Sequence, residues 1–193
     1  MNIKCFKVGY LSTNCYVVSC NETKQAAIID PGLENQTEAE PILDYIKKNG
    51  LTVKYIINTH GHPDHISGNM IIKKATNASI LIHKNHTGRA NADQKLSDGD
   101  VIKIGNFKLV VLHTPGHTKS GISLLGDGVV FTGDTLFAGS VGRTDFPGGS
   151  FKELINSIKT KLVPLPDNFK VYPGRESFST IGDEKKHNPY LQN

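Results

Sequence analysis

Short apolar runs separated by turn residues open the chain. "IKCFKV", "NCYVVSC" and "QAAIIDPG" are rich in strand formers and closed by turn formers, which predicts a meander of antiparallel strands. "TEAEPILDYIKKNG" changes the period. Ile42, Tyr45 and Ile46 recur at helical spacing, acidic residues lead and Gly50 ends the segment, so an amphipathic helix is expected. In "VKYIINTHGHPDH" an apolar strand runs directly into a histidine cluster, which places the cluster at the strand's C-terminal end and on the loop after it.

A helix around residues 66–75 and a strand, "SILIH", come next, followed by the polar stretch "KNHTGRANADQKLSDGD". "VIKIG" and "FKLVVLHT" begin a second series of strands, and "GISLLGDGVVFTGDT" reads as a hairpin turning at Asp127-Gly128. "SFKELINSIKTKLV" is a helix with Ser150 as its cap, "NFKVYPG" a final strand and "STIGDEKKHNPYL" a short terminal helix. Strands and helices alternate in two halves without repeat or linker. The pattern predicts an α/β domain over residues 1–193, with two sheets packed face to face and helices outside.

Composition narrows the function classes. The 193 residues are 37% hydrophobic and 21% charged, as in soluble globular proteins, and no apolar run nears the roughly 18 residues of a membrane span. The N-terminus lacks the basic and apolar regions of a secretory signal, so a cytoplasmic protein is expected. Cys5, Cys15 and Cys20 are odd in number, form no C-x-x-C pair and read as reduced, partly buried thiols. The net charge of +4 is scattered over Lys47/Lys48, Lys73/Lys74 and Lys185/Lys186, which gives no nucleic-acid footprint.

"THGHPDH" gathers three of the chain's eight histidines and one aspartate into seven positions. On an extended segment His60 and His62 share one side, and Asp64 and His65 follow where the chain turns into a helix. Neutral imidazole with a neighbouring carboxylate is the ligand set of zinc and related divalent ions, so one loop can feed two adjacent metals. "HTPGHTKSG" adds His117 after a Pro-Gly turn, and "FTGDTLF" adds Asp134 after another strand. Either alone is an ordinary turn residue. Their order behind the first cluster makes the set specific.

These segments, with the meander to "IIDPG", "GDTLFAGSVGRTDFPGG" and the closing "VYPG", resemble the metallo-β-lactamase fold superfamily, and within it the glyoxalase II-like hydrolases. The resemblance covers nearly the whole chain. It implies an αββα sandwich of two mixed β-sheets with the metals at one edge. His60, His62 and His117 would hold a first zinc ion, Asp64 and His65 a second, and Asp134 would bridge them. His113 is not a ligand in the family and reads as structural. A bound ion brings the pKa of water toward 7, so the hydroxide can attack a thioester carbonyl whose oxyanion the metal neutralises. Asp64 or Asp134 would orient that hydroxide.

Two departures qualify the resemblance. The family closes on "YPGHG", whereas residues 172–176 are "YPGRE": Arg175 stands where the last ligand of the second site belongs, and guanidinium has no lone pair to give. Three outcomes stay open. Either one metal works with Arg175 as a stand-in charge, or two bind with Glu176 or water as substitute ligand, or a metal is retained and the hydrolytic reaction is lost. The long form of glyoxalase II also carries a C-terminal helical domain for glutathione, which is not expected here. Arg143 either pairs with a substrate carboxylate or internally with Asp145. Phe137 and Phe146 read first as core residues.

The leading expectation is a metal-dependent hydrolase of a small thioester, similar to a short hydroxyacylglutathione hydrolase. A mononuclear iron persulfide dioxygenase, using His60, His117 and Asp134, is the alternative enzyme. A non-catalytic metal-binding member of the fold is the third. β-Lactam and nucleic-acid hydrolysis also occur on this fold, and fold alone decides neither.

Overall fold

The computed structural model describes residues 1–88 and 90–192; Arg89, in the polar stretch, and Asn193 lie outside the described residues. The first sheet has the order β1 (Asn2–Val8), β2 (Thr13–Ser19), β3 (Gln25–Ile29), β4 (Thr52–Ile57), β5 (Ser79–His83) and β6 (Gln94–Leu96). β1, β2 and β3 form the expected antiparallel meander, and β3 to β6 run parallel. The second sheet is built from β7 (Val101–Ile104), β8 (Phe107–His113), β9 (Ile122–Leu125), β10 (Val129–Gly133), β13 (Lys170–Pro173) and β14 (Ser179–Thr180). Its β10–β13 pair is parallel and the rest antiparallel, so both sheets are mixed. A small ribbon of β11 (Leu136–Phe137) and β12 (Ser140–Val141) follows β10.

Alternation explains the layers. In β3, Ala27 and Ile29 face the second sheet, where they join Tyr16, Ile57, Leu109, Val111, Leu124 and Phe131. Ala26 and Ile28 face the other way and pack with Ile42 and Ile46 of α1 (Gln36–Lys48) and Ile72 of α3 (Asn69–Thr76). A strand covered on both faces needs apolar residues throughout, which is why "AAII" shows no alternation. On the far side Leu154 of α4 (Phe151–Ser157) and Ile181 of α5 (Ile181–His187) cover Val130 and Val171. Asn35 and Ser150 cap α1 and α4 by accepting from the backbone N–H of Glu38 and Glu153. The molecule has the α/β sandwich architecture expected of its sequence, and among the described residues no helix is long and apolar enough to cross a membrane.

Tertiary contacts redraw some boundaries. The helix expected over residues 66–75 divides into α2 (Pro63–Ile66) and α3, because Gly68 packs on the Pro31 carbonyl. Its N–H donates to that oxygen at 2.8 Å. β6 arises inside the polar stretch through parallel pairing with β5. α4 continues as a π-helical turn over Ile158–Leu162.

Phe131 is fully buried between the sheets, 5.2 Å from the Tyr16 ring and 5.3 Å from that of Tyr172. Phe131→Ala is expected to destabilise the fold by about 3–5 kcal/mol. Urea denaturation checks this, with an unchanged slope and a lowered midpoint as the expected result.

Candidate metal centre

β3 and β4 of one sheet and β8, β10 and β13 of the other all direct their C-terminal ends, or the loops after them, to one edge of the sandwich. Beyond β3, buried Asp30 adopts a left-handed conformation with φ 52°. Its Oδ1 accepts from the Thr59 backbone N–H at 2.8 Å and its Oδ2 from Thr59 Oγ1 at 2.6 Å. With its proton committed to Asp30, the Thr59 hydroxyl is left to accept from His60 Nδ1, 3.3 Å away. The His60 Nε2 lone pair then faces the site. Asp30 Oδ2 also stands 2.9 Å from His65 Nδ1. One carboxylate therefore governs the orientation of two histidines.

From the second sheet, His117 donates its Nδ1–H to the Arg143 carbonyl at 2.7 Å, so its Nε2 carries the free lone pair. His60 Nε2 lies 3.1 Å and His117 Nε2 3.0 Å from His62 Nδ1. Two nitrogens bound to one tetrahedral zinc at about 2.0–2.1 Å would stand roughly 3.3 Å apart. His60, His62 and His117 thus present converging donors at a spacing that fits a divalent ion. Burial holds His60 well below the ordinary imidazole range and moves His62 in the same direction, keeping both neutral as ligands must be.

A second group, His60, His65 and Asp134, is also close enough to share an ion. Asp134 Oδ1 is buried and receives no hydrogen bond among the described residues, while His65 Nε2 stands 3.3 Å from it. Burial alone would lower the His65 pKa, but Asp134 and Asp30 outweigh it and raise it to about 10. The same pairing holds Asp134 well below the carboxylate range against the burial that would raise it. Arg175 completes this region. Its Nη2 donates to Asp64 Oδ2 at 2.5 Å and to Asp134 Oδ2 at 2.8 Å, and its Nε donates to Asp134 Oδ2 at 3.2 Å. Glu176 is exposed and joins neither ligand group, and its backbone carbonyl accepts from Asn14 Nδ2. The geometry does not bring it to the position expected of a substitute ligand.

A cavity of about 680 Å³ opens over the centre, with His62, Asp64, His117, Asp134 and Arg175 among its lining residues. Tyr10, Leu11, Phe137, Val141 and Phe146 give it apolar walls. Phe146 is not the core residue expected: it is 43% exposed, lies edge-on to the His62 ring and carries the Arg143 guanidinium 4.1 Å above its own. Arg143 takes the internal pairing, donating to Asp145 through Nε and Nη2 at 2.7 and 2.6 Å. Both partners are exposed, so the pair adds little stability and remains open to exchange.

A model of the metallo-beta-lactamase superfamily matches residues 8–175. The chain belongs to the metallo-beta-lactamase superfamily. Hydroxyacylglutathione hydrolase GloC of Haemophilus influenzae is 38% identical, over 99% of this chain and 98% of that protein. Among solved structures, ETHE1 from Myxococcus xanthus has a TM-score of 0.90 at 33% identity, over 98% of this chain and 84% of that one. BLEG-1, a B3 metallo-beta-lactamase, gives 0.89 at 33% identity over the full length of both. TTHA1623 in a di-iron-bound form gives 0.82 at 31% identity, over 97% of this chain and all of that one. The superfamily fold thus carries a candidate metal-binding cluster here whose metal the relatives leave open.

Asp30 and Thr59 are the site residues that sequence reasoning missed. In "IIDPG" the Pro-Gly pair makes Asp30 look like an ordinary turn residue. The signal available was an aspartate closing a strand that is apolar on both faces. His113 lies outside the centre. It stacks on His83 with ring centroids 4.1 Å apart, and its Nε2 lies 3.0 Å from the Lys119 carbonyl.

Asp30→Asn tolerates the left-handed backbone but puts an amide N–H₂ where the Thr59 hydroxyl and His65 need an acceptor. An unchanged circular dichroism spectrum with divalent-metal affinity weakened about 10- to 100-fold is expected in a chelator competition. Undiminished affinity would refute the orienting role. Burial and the neighbouring His113 and Lys84 lower the His83 pKa to about 4. The unfolded chain takes up that proton near pH 6.5. Protonation therefore favours unfolding, and this contribution is complete above about pH 6.5 and falls away as pH drops toward 4. A proton NMR titration of the His83 ring is expected to show its midpoint near 4.

Proposed function

We propose that this protein is a metal-dependent hydrolase of small thioesters, similar to hydroxyacylglutathione hydrolase. The observation that carries the reading is the convergence of His60 Nε2, His62 Nδ1 and His117 Nε2 beneath a partly apolar cavity. The full-length likeness to GloC supports the choice of substrate class. A divalent ion held by these three histidines supplies Lewis acidity toward a carbonyl oxygen and a water of lowered pKa. The chain's own residues do the rest. Arg143 keeps His117 in the ligating tautomer through its carbonyl, and Thr59 does the same for His60. Asp134, which lines the cavity with its Oδ2 3.6 Å from His117 Nε2, is the carboxylate placed to orient the attacking water. Tyr10, Leu11 and Phe146 hold the apolar part of the substrate, and Arg143 takes an outer carboxylate by exchanging Asp145. Three free cysteines suit a reducing compartment, which supports a cytoplasmic location.

One observation favours a second reading, an iron-dependent persulfide dioxygenase. His117 Nε2 lies 3.6 Å from Asp134 Oδ2, and His60 belongs to both ligand groups, so two histidines and one carboxylate stand together as such chemistry requires. The two readings differ in metal and co-substrate. Chelation is expected to abolish S-lactoylglutathione hydrolysis and zinc to restore it without oxygen, while His117→Ala lowers kcat/KM on the order of 100-fold or more. Iron in the purified protein, with oxygen consumed on addition of glutathione persulfide and no thioester cleavage, would establish the second reading instead.

A further inference from the structure

We propose that the guanidinium of Arg175 is the second cation of this centre, so that the chain takes up one metal ion and excludes another. The inference rests on reading His60, His62 and His117 as a metal site and does not depend on which substrate is cleaved.

Asp64, His65 and Asp134 surround a single position from two elements, the first two from α2 and the third from the loop after β10. A divalent ion placed there would need oxygen from Asp64 and Asp134 and nitrogen from His65. Arg175 Nη2 already holds that position, 2.5 Å from Asp64 Oδ2, 2.8 Å from Asp134 Oδ2 and 3.5 Å from His65 Nε2. Ion and guanidinium cannot share it. The two carboxylates are largely buried, so whatever cation lies between them is held by their paired charge.

The backbone beneath Arg175 is fixed as well. Asn14 N–H donates to the Gly174 carbonyl and Gly174 N–H to the Gly133 carbonyl, each at 2.8 Å. Tyr16 Oη donates to the Pro173 carbonyl at 2.5 Å, and Asn14 Nδ2 donates to the Pro173 and Glu176 carbonyls at 3.0 and 3.2 Å. A Cβ at Gly174 would stand 2.5 Å from Asp134 Oδ1, which shows how closely this segment is pressed on the centre. Swinging Arg175 out would leave His65, 3.4 Å from Asp64 Oδ2 and 3.3 Å from Asp134 Oδ1, as the one cationic partner of two carboxylates among the described residues.

The substitution alters what the centre can do. Guanidinium donates hydrogen bonds but accepts no ligand electron pair, so it neutralises Asp64 and Asp134 without adding a second Lewis acid. Its Nη1 makes no hydrogen bond among the described residues, and Arg175 lines the cavity. A substrate oxygen there would meet an N–H donor where a second ion would offer an open coordination position.

The test is metal stoichiometry in the full-length protein. Stripped protein would be titrated with cobalt(II), followed by its visible absorption, and zinc content would be measured after dialysis. One equivalent in the native chain and in Arg175→Lys, and two in Arg175→His, is the expected result. Two equivalents in the native chain, or one in a folded Arg175→His, would overturn the proposal and leave the metallohydrolase reading intact. No bound metal in the native chain would overturn both. Should Arg175→His fail to fold, the native and Arg175→Lys titrations still decide, because two equivalents in either contradict a resident cation.

Discussion

The carboxylate of Asp30 is the contact on which the centre depends. It ties β3 to the loop after β4 through the Thr59 backbone and hydroxyl, and it faces His65 from the same oxygen that accepts the hydroxyl. Because that hydroxyl is spent on Asp30, His60 is left with one ligating nitrogen toward the cavity. Ring orientation is a demanding requirement for a metal ligand: a histidine turned about its Cβ–Cγ bond presents a C–H instead of a lone pair. A buried carboxylate that accepts two hydrogen bonds from Thr59 and stands 2.9 Å from His65 Nδ1 bears on both rings at once.

The sandwich brings such groups together because each sheet contributes strands that end at the same edge. His60, His62, Asp64 and His65 come from the first sheet, and His117, Asp134 and Arg175 from the second. Packing of the two inner faces fixes the separation, with Tyr16 and Phe131 in edge contact between them. The distances of 3.0 Å between His62 and His117 and 2.5 Å between Asp64 and Arg175 are therefore consequences of core packing. Interiors this dense transmit small volume changes, so the geometry of the centre and the stability of the core are coupled.

Charge divides the centre into two unlike halves. Around His62 the ring nitrogens of His60, His62 and His117 converge, which favours a divalent ion. Around Asp134 the carboxylates are already matched by Arg175 and by a His65 held in its charged form. Both halves open into one cavity whose outer wall combines Phe146 and Arg143, an apolar ring beneath a cation. That wall can meet an apolar group and an anion side by side.

Much of this was legible in the linear pattern. Strand and helix periods predicted the meander, α1 and α4, and the clustering of His60, His62, Asp64 and His65 marked a candidate metal site because no ordinary turn needs three histidines in seven residues. The spacing of His117 and Asp134 behind that cluster pointed to the same centre, and the resemblance to a family that closes on "YPGHG" implied that "YPGRE" puts a cation at a ligand's position. The break at Gly68, the pairing of β6, the exposure of Phe146 and the role of Asp30 were not legible. Each depends on contact between segments far apart in the chain: Gly68 on Pro31, β6 on β5, Asp30 on Thr59 and His65. The sequence by itself determined which donors exist and the order in which the chain delivers them. Only the tertiary structure decided which nitrogen of each ring faces the cavity and that Arg175 lies between Asp64 and Asp134, because both follow from how the two sheets' edges meet.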